Sequence, residues 1–124
     1  DFFNCDSGML PWMLIARQLH QSGQTLAEAV AEMRAEFPSS GEINFRVADK
    51  GAAVAAVRGI FEPDAASVDR TDGLSCDFGD WRFNLRASNT ENLLRLNVEA
   101  AGSRALVEAR TADLSTILNK WAAQ

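Results

Sequence analysis

The stretch Trp81 to Ala100, WRFNLRASNTENLLRLNVEA, decides how this chain folds. On the way in, Trp81, Phe83, Leu85 and Ala87 alternate with Arg82, Asn84, Arg86 and Ser88; on the way out, Leu94, Leu96 and Val98 alternate with Arg95, Asn97 and Glu99. A period of two is the mark of a half-buried strand, so two such runs around the polar segment Ser88 to Asn92 predict a hairpin with one apolar face. Its tip gathers a guanidinium, two hydroxyls, side-chain amide and backbone N–H groups, with no bulky apolar side chain among them. Arg presents a planar fork of donors that matches phosphate oxygens, and Ser, Thr and Asn add neutral donors in a turn whose successive amides converge on an anion. The chemistry alone leaves two readings open, an anion site and an ordinary polar hairpin tip.

Outward from this hairpin the same patterns continue. Glu42 to Val47 reads as a strand, and Asp49 caps a helix from Lys50 to Phe61 that turns Val54, Val57 and Ile60 inward before Pro63 ends it. Ala66 to Arg70 and Leu74 to Phe78 read as strands joined at Asp72-Gly73, a strong turn signal, and Gly79-Asp80 leads into Trp81. After the central hairpin, Gly102-Ser103 opens a last helix on which Leu106, Val107, Arg110, Leu114, Ile117, Leu118 and Trp121 keep helical spacing. The order β-α-β-β-β-β-α predicts an α+β fold, a mostly antiparallel sheet with two helices on one face and the other face free to line a site.

The N-terminal residues follow a different rhythm. Asp6 or Ser7 caps a helix over Met9 to His20, with Pro11 tolerated in its first turn, and Trp12, Met13, Leu14 and Ile15 make it more apolar than a solvated helix. Something is expected to cover it, and the Trp residues read as core. Thr25 and Glu28 form a capping box for a second helix to Phe37, striped by Leu26, Val30, Met33 and Phe37. Pro38-Ser39-Ser40-Gly41 reads as a flexible linker, so residues 1–37 and 38–124 are taken as two domains.

Composition narrows the function classes. At 124 residues the chain has room for one ordinary domain and a small appendage. A net charge of −5 excludes a broad nucleic-acid-binding face, which needs an excess of Lys and Arg, so any anion site must be local. No run approaches the ~18 apolar residues of a transmembrane helix, and Cys5 and Cys76 read as reduced thiols of a cytoplasmic protein. Asp69-Arg70-Thr71-Asp72-Gly73 fits a hairpin better than an acidic metal loop, and His20, the sole histidine, fits a helix's last turn better than a ligand set. There is no Gly-rich nucleotide loop and no paired base and nucleophile. Arg95, on the polar side of the outgoing strand, is a secondary anion-contact candidate. Asp1 at the start, without a Met, reads as a cut from something longer.

The wording of the tip carries a resemblance. Arg86-Ala87-Ser88-Asn89-Thr90-Glu91 resembles the phosphate-binding loop of the bacterial phosphomannomutase/phosphoglucomutase family, usually Arg-x-Ser-Asn-Thr-Glu-Pro; Asn92 departs from it where the family has Pro. Phe3-Asn4-Cys5-Asp6-Ser7-Gly8, the Pro38 to Asn44 segment and Val68 to Gly73 are similar to that family's last third, above all to phosphomannomutases of surface-polysaccharide pathways.

The resemblance implies that residues 1–37 are the last helices of a third domain and 38–124 a TATA-binding-protein-like fourth domain. It implies that Arg86, Ser88, Asn89 and Thr90 grip the substrate's non-transferred phosphate. The parent would interconvert hexose 1- and 6-phosphates through a phosphoserine and a bisphosphate intermediate, with the phosphosugar and its own upstream domains as partners. Its Mg²⁺ would sit on an Asp-x-Asp-x-Asp loop absent from these residues, and this piece alone would be inactive. Alternatives are a phosphoglucomutase or dual-specificity enzyme, a free-standing anion-binding module, or an interaction domain.

Overall fold

A computed structural model describes residues 7–123 of the chain. The chain divides into two compact units, one ending at Ala35 and one beginning at Glu36. The first holds α1 (Met9–Ser22) and nearly all of α2 (Leu26–Glu36). The N-cap of α1 is Gly8, which offers no side-chain oxygen; of the two expected caps, Asp6 lies outside the described residues and Ser7 stands one position too early. The other end closes as a left-handed cap, Gly23 at φ 71° donating its N–H to the Leu19 carbonyl at 2.9 Å. His20 occupies the last turn. The capping box forms in both directions, Thr25 N–H to Glu28 Oε2 at 2.8 Å and Glu28 N–H to Thr25 Oγ1 at 3.3 Å. The Thr25 N–H, with its hydroxyl second, holds the Glu28 carboxyl below its ordinary range. Neither helix has a buried residue, and Trp12, expected in a core, is 63% exposed.

The second unit is a five-stranded antiparallel sheet. Its strands are β1 (Ile43–Arg46), β2 (Ser67–Asp69), β3 (Leu74–Asp77), β4 (Trp81–Ala87) and β5 (Leu93–Ala100), in the spatial order β1-β5-β4-β3-β2. Between β1 and β2 run α3 (Lys50–Phe61) and a single 3₁₀ turn, Glu62–Asp64; α4 (Arg104–Asn119) follows β5. Asp49 and Ser103 cap these helices, accepting from the N–H groups of Ala52 and Leu106. Register follows the alternation, with Phe83 opposite Val98 and Leu85 opposite Leu96. One core joins Phe45, Leu74, Cys76, Phe83, Leu85, Leu94, Leu96 and Val98 of the strands to Ala53 and Val57 of α3 and Val107, Leu114 and Leu118 of α4.

Two expectations change here. The inward face of α3 takes in Ala53 and Phe61 beside the expected Val54 and Val57, whereas Ile60, expected inward, is 55% exposed. An aromatic cluster sets this register, because the Phe61 ring stands edge-on to Phe78, Trp81 and Phe83 at centroid distances of 5.5–6.3 Å. The Pro38–Gly41 segment is not a loose linker. Ala100 N–H donates to the Pro38 carbonyl at 3.1 Å, Ser40 N–H to that of Val98 at 2.8 Å, and Val98 N–H to Ser40 Oγ at 3.0 Å. The segment extends the β1 side of β5 and covers an edge that would otherwise be bare.

The β2–β3 turn depends on Gly73 at φ 85°. A Cβ there would lie 2.5 Å from the Leu85 carbonyl oxygen and 2.8 Å from Arg86 Cα, so β4 passes where any other residue would put a side chain. Asp69 fixes the same turn by accepting the N–H and hydroxyl of Thr71, at 2.9 and 2.7 Å. The Thr71 hydroxyl above all, then its N–H, lowers the Asp69 pKa. The Cys76 thiol is buried, and burial first, then the Glu62 charge, pushes its pKa up; Cys5 lies outside the described residues.

Candidate anion site

The alternation that buries one face of the β4–β5 hairpin turns Arg82, Asn84 and Arg86 out beside Arg95, Asn97 and Glu99. With Ser75 and Asp77 of β3 they line a groove of about 490 Å³ along the sheet face opposite the core. The groove is polar but not cationic, since Glu42, Asp69, Asp72, Asp77 and Glu99 stand in it with three Arg. Arg82 is taken up by Glu99 across the strand pair, and the Asn84 amide donates to the Asp72 carbonyl and Ser75 Oγ. Arg86 stands at the tip end of the groove, its guanidinium 3.3 Å from Glu42 Oε2 and 3.5 Å from Asp72 Oδ2. Arg95 is its directly opposed partner and reaches the other Glu42 oxygen at 3.8 Å.

Beyond Ala87 the chain turns over in six residues, closed by the Ser88 N–H donating to the Leu93 carbonyl at 2.9 Å. Ser88 is 6% exposed, and its Oγ accepts the Glu91 N–H at 3.2 Å, which leaves the hydroxyl proton as its remaining donor. Asn89 and Thr90 are exposed at the tip. Neither their side chains nor the backbone N–H groups of Asn89, Thr90 and Asn92 have a hydrogen-bond partner among the described residues. The four residues singled out in the sequence thus divide: Arg86 is paired to carboxylates, Ser88 closes the turn, and Asn89 and Thr90 are unpaired donors. Arg95 joins Arg86 but not the tip.

Two residues of this site, Lys50 and Glu42, escaped the sequence reading, and a third, Asn92, figured there only as a departure from the motif. Lys50 reaches the inside of the turn, with Nζ 3.1 Å from the Ser88 carbonyl and 3.2 Å from that of Glu91. Asn92 donates from Nδ2 to the Val47 carbonyl at 2.9 Å, anchoring the exit where the resembled motif has Pro. Glu42 bridges the two Arg. The only local sign was Lys50 itself, a cation in a helix's first turn, where the dipole disfavours one. Among the described residues no three His, Cys, Asp or Glu stand close enough to hold a metal, and no helix is long and apolar enough to cross a membrane.

A turn with unpaired amides, a hydroxyl and a side-chain amide, beside a guanidinium held loosely by two carboxylates, can bind a tetrahedral oxyanion by hydrogen bonds without a base or nucleophile. The family model described as phosphoglucomutase/phosphomannomutase, C-terminal domain, matches residues 42–116, which include every residue of this turn. A phosphomannomutase of Salmonella montevideo is 55% identical over 119 residues, covering 96% of this chain and 26% of the relative. A Xanthomonas campestris protein named phosphohexose mutases is 54% identical over 118 residues, 95% of this chain and 26% of its own length. The chain therefore spans about a quarter of the curated relatives it matches. A crystal structure of a phosphoglucomutase/phosphomannomutase family protein from Burkholderia thailandensis superposes with a TM-score of 0.51 at 25% identity, over 66% of this chain and 17% of the other. With the family model spanning most of the sheet unit and the turn inside the match, this chain belongs to the phosphoglucomutase/phosphomannomutase family and carries its C-terminal domain.

Proposed function

We propose that this chain is the phosphate-holding end of a phosphomannomutase that interconverts mannose 6-phosphate and mannose 1-phosphate. The observation that carries this reading is the unpaired donor set of Asn89 and Thr90 at a tip flanked by Arg86, in a chain so similar to proteins named phosphomannomutase. In this reading Arg86, the Ser88 hydroxyl, Asn89 and Thr90 hold the phosphate that is not being transferred. Transfer itself runs through a phosphoserine and a sugar bisphosphate on upstream domains, which also hold the Mg²⁺; no step on this chain uses the metal. Closing the domain onto the sugar fixes orientation and excludes water, a contribution to rate that needs donors only. Alone, the chain has no mutase activity.

Each hydrogen bond to a charged phosphate is worth roughly 1.5–3 kcal/mol, but an exposed tip returns much of that to water and to ordering. Binding by the isolated chain is therefore about millimolar, near −4 kcal/mol. The test is a titration of mannose 6-phosphate into the ¹⁵N-labelled chain. Amides of residues 88–92 shift first, and Arg86→Ala removes the effect with core resonances unmoved. Shifts centred on residues 69–73 instead would place the ligand elsewhere and defeat the proposal. The relative named for phosphohexose mutases favours a second reading, in which glucose phosphates are also substrates; equal kcat/KM of the parent for both sugars would select it.

A further inference from the structure

The ammonium of Lys50 lies under the turn and donates to two of its carbonyls, those of Ser88 and Glu91. Among the described residues there is no cis peptide bond, and a trans peptide group carries its C=O and its N–H on opposite sides. With the Ser88 carbonyl turned onto Lys50, the Asn89 N–H is turned away from it; the Glu91 carbonyl does the same for the Asn92 N–H. Both N–H groups lack a partner among the described residues. Each of these peptide groups is thus bound by a cation at one end and open to an anion at the other. A cation on the carbonyl end polarises the group, making its N–H the stronger donor.

We infer that Lys50 is a positioning residue of the anion site, aiming and polarising the Asn89 and Asn92 amides without touching the ligand. The inference rests on the anion reading above and adds a residue to it. It also accounts for the placement of Lys50 in the first turn of α3. There the helix dipole disfavours a cation, and with the Asp49 carboxylate engaged as the helix cap, the two carbonyls are the hydrogen-bond acceptors of the ammonium. The contact joins residues 38 and 41 positions apart, tying the start of α3 to the tip of the β4–β5 hairpin.

The experiment compares the 124-residue chain with Lys50→Met, Lys50→Gln and Lys50→Arg by titrating inorganic phosphate at constant ionic strength and following the amides of Asn89, Thr90 and Asn92. Lys50→Met is expected to bind about tenfold more weakly and Lys50→Arg within about twofold of the unaltered chain, with core amides unmoved. Rescue by Arg separates a cation acting through the peptide groups from mere filling of space. If Lys50→Met does not fold, Lys50→Gln carries the comparison, expected to bind more weakly by at least about threefold. A Lys50→Met chain that binds like the unaltered one overturns the inference alone, as does a Lys50→Arg chain no better than Lys50→Met. An unaltered chain whose turn amides do not respond to phosphate overturns both the inference and the reading beneath it.

Discussion

Arg86 and Arg95 stand directly opposite each other on β4 and β5, and the two oxygens of Glu42 touch one guanidinium each, at 3.3 and 3.8 Å. Like charges opposed across a strand pair repel, so the carboxylate at the start of β1 holds the pair together. The same carboxylate is a competitor for any phosphate that approaches Arg86. Glu42→Gln is therefore expected to act in two directions. It should lower stability by about 0.5 kcal/mol, a small figure because all three side chains are partly exposed, and it should tighten phosphate binding by about twofold to fivefold at low salt. Urea denaturation and phosphate titration of the same sample check both signs.

Gly73 and Gly79 provide a matched pair. Both have positive φ, 85° and 92°, but a Cβ at Gly79 meets nothing within 4 Å, whereas at Gly73 it strikes the backbone of β4. Gly79→Ala should cost about 1 kcal/mol, the conformational penalty alone. Gly73→Ala should cost about 3 kcal/mol or more, because the β2–β3 turn must also move away from Leu85 and Arg86. Equal denaturation midpoints for the two variants would contradict the close approach seen here.

Asp69 makes a pH-dependent prediction whose sign follows from its partners. The Thr71 hydroxyl and N–H favour its charged form, so its folded pKa lies below its unfolded one. The stabilisation is present above the unfolded pKa and is lost as pH falls through the folded value. Thr71→Val removes the larger of the two causes and should raise the Asp69 pKa measured by carboxylate NMR. It should also flatten the acid limb of the stability profile. An unchanged Asp69 titration in that variant would show that the hydroxyl does not set it.

How much of this was legible in the chain depends on the range of the forces involved. The β4–β5 hairpin and the Asp72-Gly73 turn are written in neighbouring residues, alternation in one case and a required φ in the other, and both were readable. So was the Thr25–Glu28 box. On α3, Val54 and Val57 meet the core as expected, but Ile60 was placed there instead of Phe61, because both positions keep helical spacing with Val57. The choice is made by the distant rings of Phe78, Trp81 and Phe83, which no window on the helix contains. For the candidate site, the resembled motif named Arg86, Ser88, Asn89 and Thr90. Lys50 and Glu42 lie more than thirty residues away and enter only through the sheet order β1-β5-β4, which brings the start of α3 to the tip of the hairpin and the residue before β1 within reach of Arg86 and Arg95.

Asn92 provides the last test, because it stands where the family motif has Pro and does a different job. Proline stiffens a turn by restricting its own φ, acting mainly on the unfolded chain. Asn92 instead donates from its side chain to the Val47 carbonyl, a buried residue's acceptor for which it is the one hydrogen-bond partner among the described residues. Asn92→Ala should therefore cost about 1 kcal/mol, the price of leaving that carbonyl unpaired, and should speed amide exchange at Asn89 and Thr90. Asn92→Pro leaves the same carbonyl unpaired but recovers about 0.5–1 kcal/mol of chain entropy, so its stability should fall between Asn92→Ala and the unaltered chain. It also removes one of the two N–H groups that Lys50 turns outward, so it should bind phosphate more weakly than its stability implies. An Asn92→Pro chain that binds phosphate as tightly as the unaltered one would show that the Asn92 amide takes no part, leaving Asn89 and Thr90 to hold the anion with Arg86.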